Sequence, residues 1–279
     1  MRRNNEDRLS GGHKPTPTED APKMANPMDF ITPTEFVELP SKGRYPTGHP
    51  LCGQTQIEIR YMTARDEDLL TSRSLLKKGV AINRLIQNLI VDKTIDGNSL
   101  YIGDRNAIIV YARASAYGAK YKTKITCPSC SHVSKITFDL SQYKEYDGSE
   151  WDDLNITSEG DGTFDVTLPN SKVVAKIRPL LGYDEAQMIK EMKRDKNGED
   201  GLVTKQMHKF CLAFNGYDDR KTLDYCINNF TALDSRYLRT AFAAISPDLQ
   251  IKDLFECPEC DHEEEMSVPF GADFFWPDR

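Results

Sequence analysis

Two short cysteine units are the residues of this chain best suited to chemistry. One is Cys127-Pro128-Ser129-Cys130, followed by Ser131 and His132; the other is Cys257-Pro258-Glu259-Cys260, followed by Asp261 and His262. Two residues between thiols let a tight turn aim both sulfurs at one ion, and two such turns supply a tetrahedral four-sulfur zinc site. Alternating residues on either side of each unit predict strands, so each half reads as a hairpin, at about 120–140 and 252–270. The expectation is one structural zinc on Cys127, Cys130, Cys257 and Cys260. Four thiolates leave no open position for water, so such a metal would be structural and not catalytic. The gap from Cys130 to Cys257 exceeds the usual ribbon spacing of about 15–20 residues, so the middle of the chain would be inserted between the halves. Two alternatives stay open: a pair of reduced, unliganded turns, or a redox dithiol, which needs an exposed low-pKa cysteine near a helix N-terminus. His132 and His262 are candidate substitute ligands.

The charges around the two units differ in sign. Lys120, Lys122, Lys124 and Lys135 flank the first, whereas Glu256, Glu259, Asp261, Glu263, Glu264 and Glu265 crowd the second. Opposite fields would favour docking of one hairpin on the other, although exposed pairs contribute only about 0–1 kcal/mol each.

The elements that must position these units are a mixture. Gln56–Met62 alternates as a strand. Thr63 and Asp66 predict a capping box for a helix that runs to Lys77 and Lys78 before Gly79. Ile82, Leu85, Ile86, Leu89 and Ile90 share one face of a second helix, Val80–Val91. Asp104 is a candidate cap for a third, ending at Gly118. Phe164–Leu168 and Lys172–Arg178 predict a hairpin turned at Pro169-Asn170. Helices are expected again at Asp184–Arg194 and at Val203–Phe214, the latter striped by Val203, Met207, Phe210, Cys211 and Phe214. Asp234 is a candidate cap for a last helix ending before Pro247. The charged, glycine-containing stretch Asp195–Gly201 predicts a mobile loop. Residues 1–28, rich in proline and charge, predict a disordered tail, and 29–279 a single domain. The fold class is α+β, a helical core around two β-hairpins joined as a split zinc-ribbon-like unit.

Composition narrows the function. The chain has 279 residues and a formal charge of −7, which argues against a dedicated nucleic-acid binder. No apolar run approaches the roughly 18–20 residues that span a bilayer, and the polar start has no apolar secretory core. Seven cysteines without that core read as metal ligation in a reducing compartment. Walker A, dinucleotide-binding, His-Glu-x-x-His and Gly-x-Ser-x-Gly motifs are absent from the sequence. His262 follows its cysteines, the reverse of the deaminase order. Cys211 reads as a core thiol, and the chain as a non-enzyme. Phe270, Phe274, Phe275 and Trp276 concentrate aromatic side chains near the end of the sequence. They read either as a clasp on the chain's own core or as anchors in a partner.

Several motifs in order carry a resemblance: Phe36-Val37-Glu38-Leu39-Pro40-Ser41-Lys42-Gly43, then Ile57–Asp68, then Gly103-Asp104-Arg105-Asn106-Ala107-Ile108, the two Cys-Pro-x-Cys units, and Phe275-Trp276-Pro277. Together they resemble the baseplate hub and hub-assembly proteins of T-even-type contractile-tailed phages, from about Phe30 onward. The resemblance implies a structural or interaction protein, either a hub component or a hub-assembly factor. It would act in the host cytoplasm during assembly or in the virion tail baseplate. Its partners would be other baseplate or hub proteins, with self-association as a further expectation and no membrane. Candidate contact residues are Phe36, Leu39, Lys42 and Arg44 in the segment Phe36–Arg44, and Phe270, Phe274, Phe275 and Trp276 in the segment Phe270–Trp276; Asp195–Gly201 is a lesser candidate. The alternative function is a zinc-ribbon nucleic-acid-binding accessory protein, drawing on the lysines around the first unit.

Overall fold

A computed structural model describes residues 32–78, 80–194, 202–268 and 274–275. The expected tail at 1–28 and loop at Asp195–Gly201 lie outside them. Pro33–Arg279 forms one compact unit, built as follows.

β1 (Thr34–Glu38) pairs antiparallel with β2 (Gln56–Arg60), with Phe36 opposite Glu58. The expected single helix after Thr63 is two, α1 (Ala64–Thr71) and α2 (Arg73–Lys78). Ser72 is extended between them, and Thr71 Oγ1 bonds back to the Glu67 and Asp68 carbonyls, a local alternative that ends helices. Asp66 occupies the expected N3 position. Its carboxylate accepts from the Thr63 N–H and from both terminal nitrogens of Arg60. Burial opposes its ionisation, but these bonds outweigh it and hold the carboxyl at about 2.

α3 (Ala81–Leu89) buries Leu85, Ile86 and Leu89 against α4 (Ile102–Tyr117), which ends at Gly118 with φ 86°. Asp104 does not cap α4; Tyr101 holds that position. Asp104 is instead buried in the first turn and accepts from Ser41 N (2.9 Å), Ser41 Oγ (2.7 Å) and Tyr45 Oη (2.6 Å). Burial raises its pKa against those bonds. The loop after β1 is thereby tied to α4.

β3 (Lys120–Thr126) and β4 (Val133–Asp139) form the first cysteine hairpin. β5 (Lys144–Tyr146) follows. β6 (Ile156–Ser158), β7 (Phe164–Thr167) and β8 (Val174–Ile177) begin an antiparallel sheet. α5 (Gly182–Arg194) and α6 (Leu202–Phe210) come next. The stripe expected to stay helical to Phe214 breaks at Cys211. Cys211–Phe214 is β9, which pairs with β8 and completes the order β6-β7-β8-β9. Its apolar side chains satisfy either period, and sheet pairing decides.

α7 (Arg220–Asn229) is capped by Asp219, whose side chain accepts from Thr222 N. α8 (Ala232–Ile245) is capped by Thr231, not by Asp234. Asp234 is buried and accepts from Asn170 N and Ser171 N, holding the β7–β8 turn. The sheet and α6, α7 and α8 share one core, and β1, β2, α1, α3 and α4 another. β10 (Asp248–Gln250) pairs with β5 and runs against α4. A Cβ on Gly103 would stand 2.1 Å from the Pro247 carbonyl oxygen, so only glycine permits that approach. β11 (Lys252–Glu256) and β12 (Glu263–Ser267) form the second cysteine hairpin.

Candidate metal centre

The two cysteine turns repeat one backbone design. Cys127 N donates to His132 O (2.8 Å) and Ser131 N to Cys127 O (2.9 Å). In the second turn Cys257 N donates to His262 O (2.9 Å) and Asp261 N to Cys257 O (3.0 Å). Ser131 and Asp261 take matching positive φ values, 63° and 54°. The likeness extends down the strands: Ile125 and Ile136 match Phe255 and Met266, and these side chains pack together around buried Cys127 and Cys257.

This packing brings the four sulfurs together. Cys127 Sγ lies 3.8 Å from Cys260 Sγ, Cys130 Sγ lies 3.6 Å from Cys257 Sγ, and all four lie within 4.8 Å of one another. A disulfide requires about 2.05 Å, so none of these contacts is one. Tetrahedral zinc with Zn–S bonds of about 2.3 Å separates its sulfurs by about 3.8 Å, and the donor set fits that ion. Cys127 and Cys257 are buried, whereas Cys130 and Cys260 reach the surface. Burial disfavours the Cys127 thiolate, but the N–H groups of Cys130 and Ser129 outweigh it and lower its pKa to about 6. The N–H of His132 favours the Cys130 thiolate, yet the sulfurs of Cys260, Cys257 and Cys127 prevail and raise its pKa to about 12. All four sulfurs could be thiolates together only with a cation between them, which is the state a metal ion would impose. His132 and His262 are outside the sulfur cluster; His262 Nε2 meets Glu264 Oε2 at 3.3 Å.

The family model described as T4 bacteriophage base plate protein matches residues 32–276. The chain belongs to this family. It is a phage baseplate structural protein. Comparisons with curated proteins and with solved structures gave no match.

The baseplate protein distributes its expected contact residues unevenly. Phe36 is 59% exposed on β1, and Arg44 is exposed 5.9 Å from the centre of the Trp151 ring. Lys42 is half-buried and bonds Glu38 and Glu145. Leu39, Phe274 and Phe275 are withdrawn from the surface. Leu39 is fully buried, and Phe274 packs on Tyr121 at 4.9 Å and on Phe275 at 5.5 Å. Arg113 Nε donates to Phe274 O at 3.2 Å. This pair is buried against the chain's own Tyr121 and the core around it. Phe270 and Trp276 lie outside the described residues.

The expected charge attraction between hairpins also takes another form. Among the described residues no ion pair joins Lys120, Lys122, Lys124 or Lys135 to the acidic hairpin of the baseplate protein; the small apolar cluster joins the hairpins instead. Val133 and Leu254, exposed at 55% and 63%, were missed in the sequence. Strand alternation, carried past Thr126 and Phe255, was the signal that could have found them. No helix among the described residues is long and apolar enough to cross a membrane.

Proposed function

We propose that this baseplate protein is a non-catalytic interaction protein of the tail baseplate, a hub component or hub-assembly factor. In this reading one structural zinc on Cys127, Cys130, Cys257 and Cys260 pins its two hairpins as a split ribbon. The observation that carries the reading is a four-sulfur cluster, with the donor set of structural zinc, inside a chain matched by the baseplate family almost throughout. The residues would hold the ion and nothing more: a closed sulfur shell supplies no site for substrate or water. Zinc would stiffen the two hairpins as a platform, and Phe36, Lys42 and Arg44 would add a second contact surface on the loop that Asp104 anchors. The partners would be other baseplate or hub proteins.

The test is the metal content of purified protein by mass spectrometry, with pull-down from infected cells. One zinc per chain and capture of hub proteins are expected. Two metals per chain, or none, would overturn the shared site, and failure to capture any baseplate protein would overturn the hub role.

A further inference from the structure

The two hairpins share a backbone but present opposite outer faces. On the first, Lys122, Lys124 and Lys135 share a face with Val133, all exposed. On the second, Glu256, Glu263 and Glu265 surround Leu254, also exposed. Strand alternation explains the placement. Ile125, Ile136, Phe255 and Met266 point into the shared cluster, so their neighbours point away from it.

Each face also contains an unfavourable arrangement. Lys124 stands directly opposite Lys135, and Glu256 directly opposite Glu263. Like charges directly opposite destabilise a strand pair. Among the described residues, Lys122, Lys124 and Lys135 have no carboxylate within ion-pair distance, and neither Glu256 nor Glu263 has a cation. Only Glu265 is paired, with Lys252 at 3.1 Å. Apart from Glu265, these charges form ion pairs with neither their own hairpin nor the other one.

We propose that these faces dock on each other between copies: the lysine face of one molecule seats on the glutamate face of a second. The occupant follows from charge complementarity, because each face is the counterpart of the other and each has one exposed apolar side chain, Val133 at the knuckle end of the first and Leu254 in the middle row of the second. Val133 and Leu254 are the apolar centres of the contact, and the ion pairs form its rim. Val133, Lys135, Leu254 and Glu256 line one groove between the hairpins, so the two faces adjoin and a two-fold pair of copies satisfies both at once. The contact needs the hairpins held together, but it is indifferent to hub component or assembly factor.

The experiment is sedimentation velocity of the full chain at about 10–100 μM, at low and at high salt. Two triple variants are compared with the parent: Lys122→Glu/Lys124→Glu/Lys135→Glu and Glu256→Lys/Glu263→Lys/Glu265→Lys. None of these positions is a cysteine or packs in the apolar cluster, and zinc content and melting check that each variant is folded. Self-association of the parent that fades with salt is expected, as is its weakening by about tenfold or more in either variant alone. Mixing the two variants should restore association, since one then carries two acidic faces and the other two basic ones. A parent that stays monomeric at all concentrations overturns the proposal, as does association unchanged by both variants or a mixture that stays apart. If the parent is monomeric and shifts nucleic acid through the lysines, the basic face serves nucleic acid and not a second copy. Loss of zinc with association intact would count against the metal reading alone.

Discussion

Between the hairpins the buried residues are Cys127, Phe255 and Cys257; under α4 the buried cluster runs from Val37 to Phe275 and draws on strands, helices and loops. Among the described residues the knuckle end has only this small core, whereas the far ends of β3 and β4 join the main one through Tyr121 and Phe138. Burying Phe255 stabilises it by about 2–3 kcal/mol, and isolated two-stranded hairpins are marginal in water. The second region is held by burial and by buried carboxylates that bind distant loops. With zinc bound as proposed, the knuckles would be cross-linked by metal and the body held by its own burial, so the two should fail separately.

Loss of a sulfur should give the largest effect. Structural zinc is worth about 10–16 kcal/mol in small peptides, and Cys257→Ser, or chelation, should remove it. Amide exchange should then accelerate across 123–136 and 252–266, while α4 and the β7–β8 pair keep their protection. Global unfolding instead would show that the body depends on the ribbon and would break the comparison.

Next comes the body's own tie. Asp104→Ala leaves Ser41 N and Tyr45 Oη without their acceptor and should cost about 2–4 kcal/mol in urea unfolding. Zinc stoichiometry should not change. A loss of zinc would mean that strain passes from the loop after β1 into the hairpins.

Acid offers a comparable but smaller probe. Asp66 is held at about 2 in the folded chain, below the roughly 3.9 of an unfolded aspartate. Its contribution, about 2 kcal/mol, is therefore complete above pH 4 and is lost as pH falls towards 2. The Cys257→Ser protein is the one to measure, because protons also compete for sulfur. Asp66→Asn should flatten that part of the stability–pH curve; an unchanged slope would assign it to other carboxylates.

The smallest effect separates the two knuckles. Ser131 and Asp261 both sit in the left-handed region, which glycine adopts without steric cost. Ser131→Gly should raise the zinc-dependent melting step by the equivalent of about 0.5–1 kcal/mol. Asp261→Gly should gain less, since aspartate tolerates this conformation better. Equal gains would remove the distinction.

What could be read in the sequence depended on range. The cysteine turns were legible because two residues between thiols and the flanking alternation are local. The approach of the two pairs was an expectation from valence and from the opposite charges around the two units, and the four sulfurs do cluster. Asp104 and Asp234 were misread as caps because aspartate near a helix start usually is one; each instead accepts from a loop more than sixty positions away. Cys211–Phe214 was misread because four apolar residues satisfy both the helical and the strand period, and only β8 decides between them. The β5–β10 pair joins segments about a hundred positions apart and left no mark in either.

The sulfur cluster has a bearing on how the molecule is made. Cys130 and Cys257 are 127 positions apart. At about 5–20 residues per second, a ribosome that has finished the first knuckle needs roughly 6–25 seconds to reach the second. Throughout that interval a nascent chain has only two of the four sulfurs that cluster. The four sulfurs can meet only after the β6–β9 sheet and helices α5 to α8 have been synthesised. A cluster of all four sulfurs thus marks a chain synthesised through Cys260 and is denied to any fragment that stops short of it.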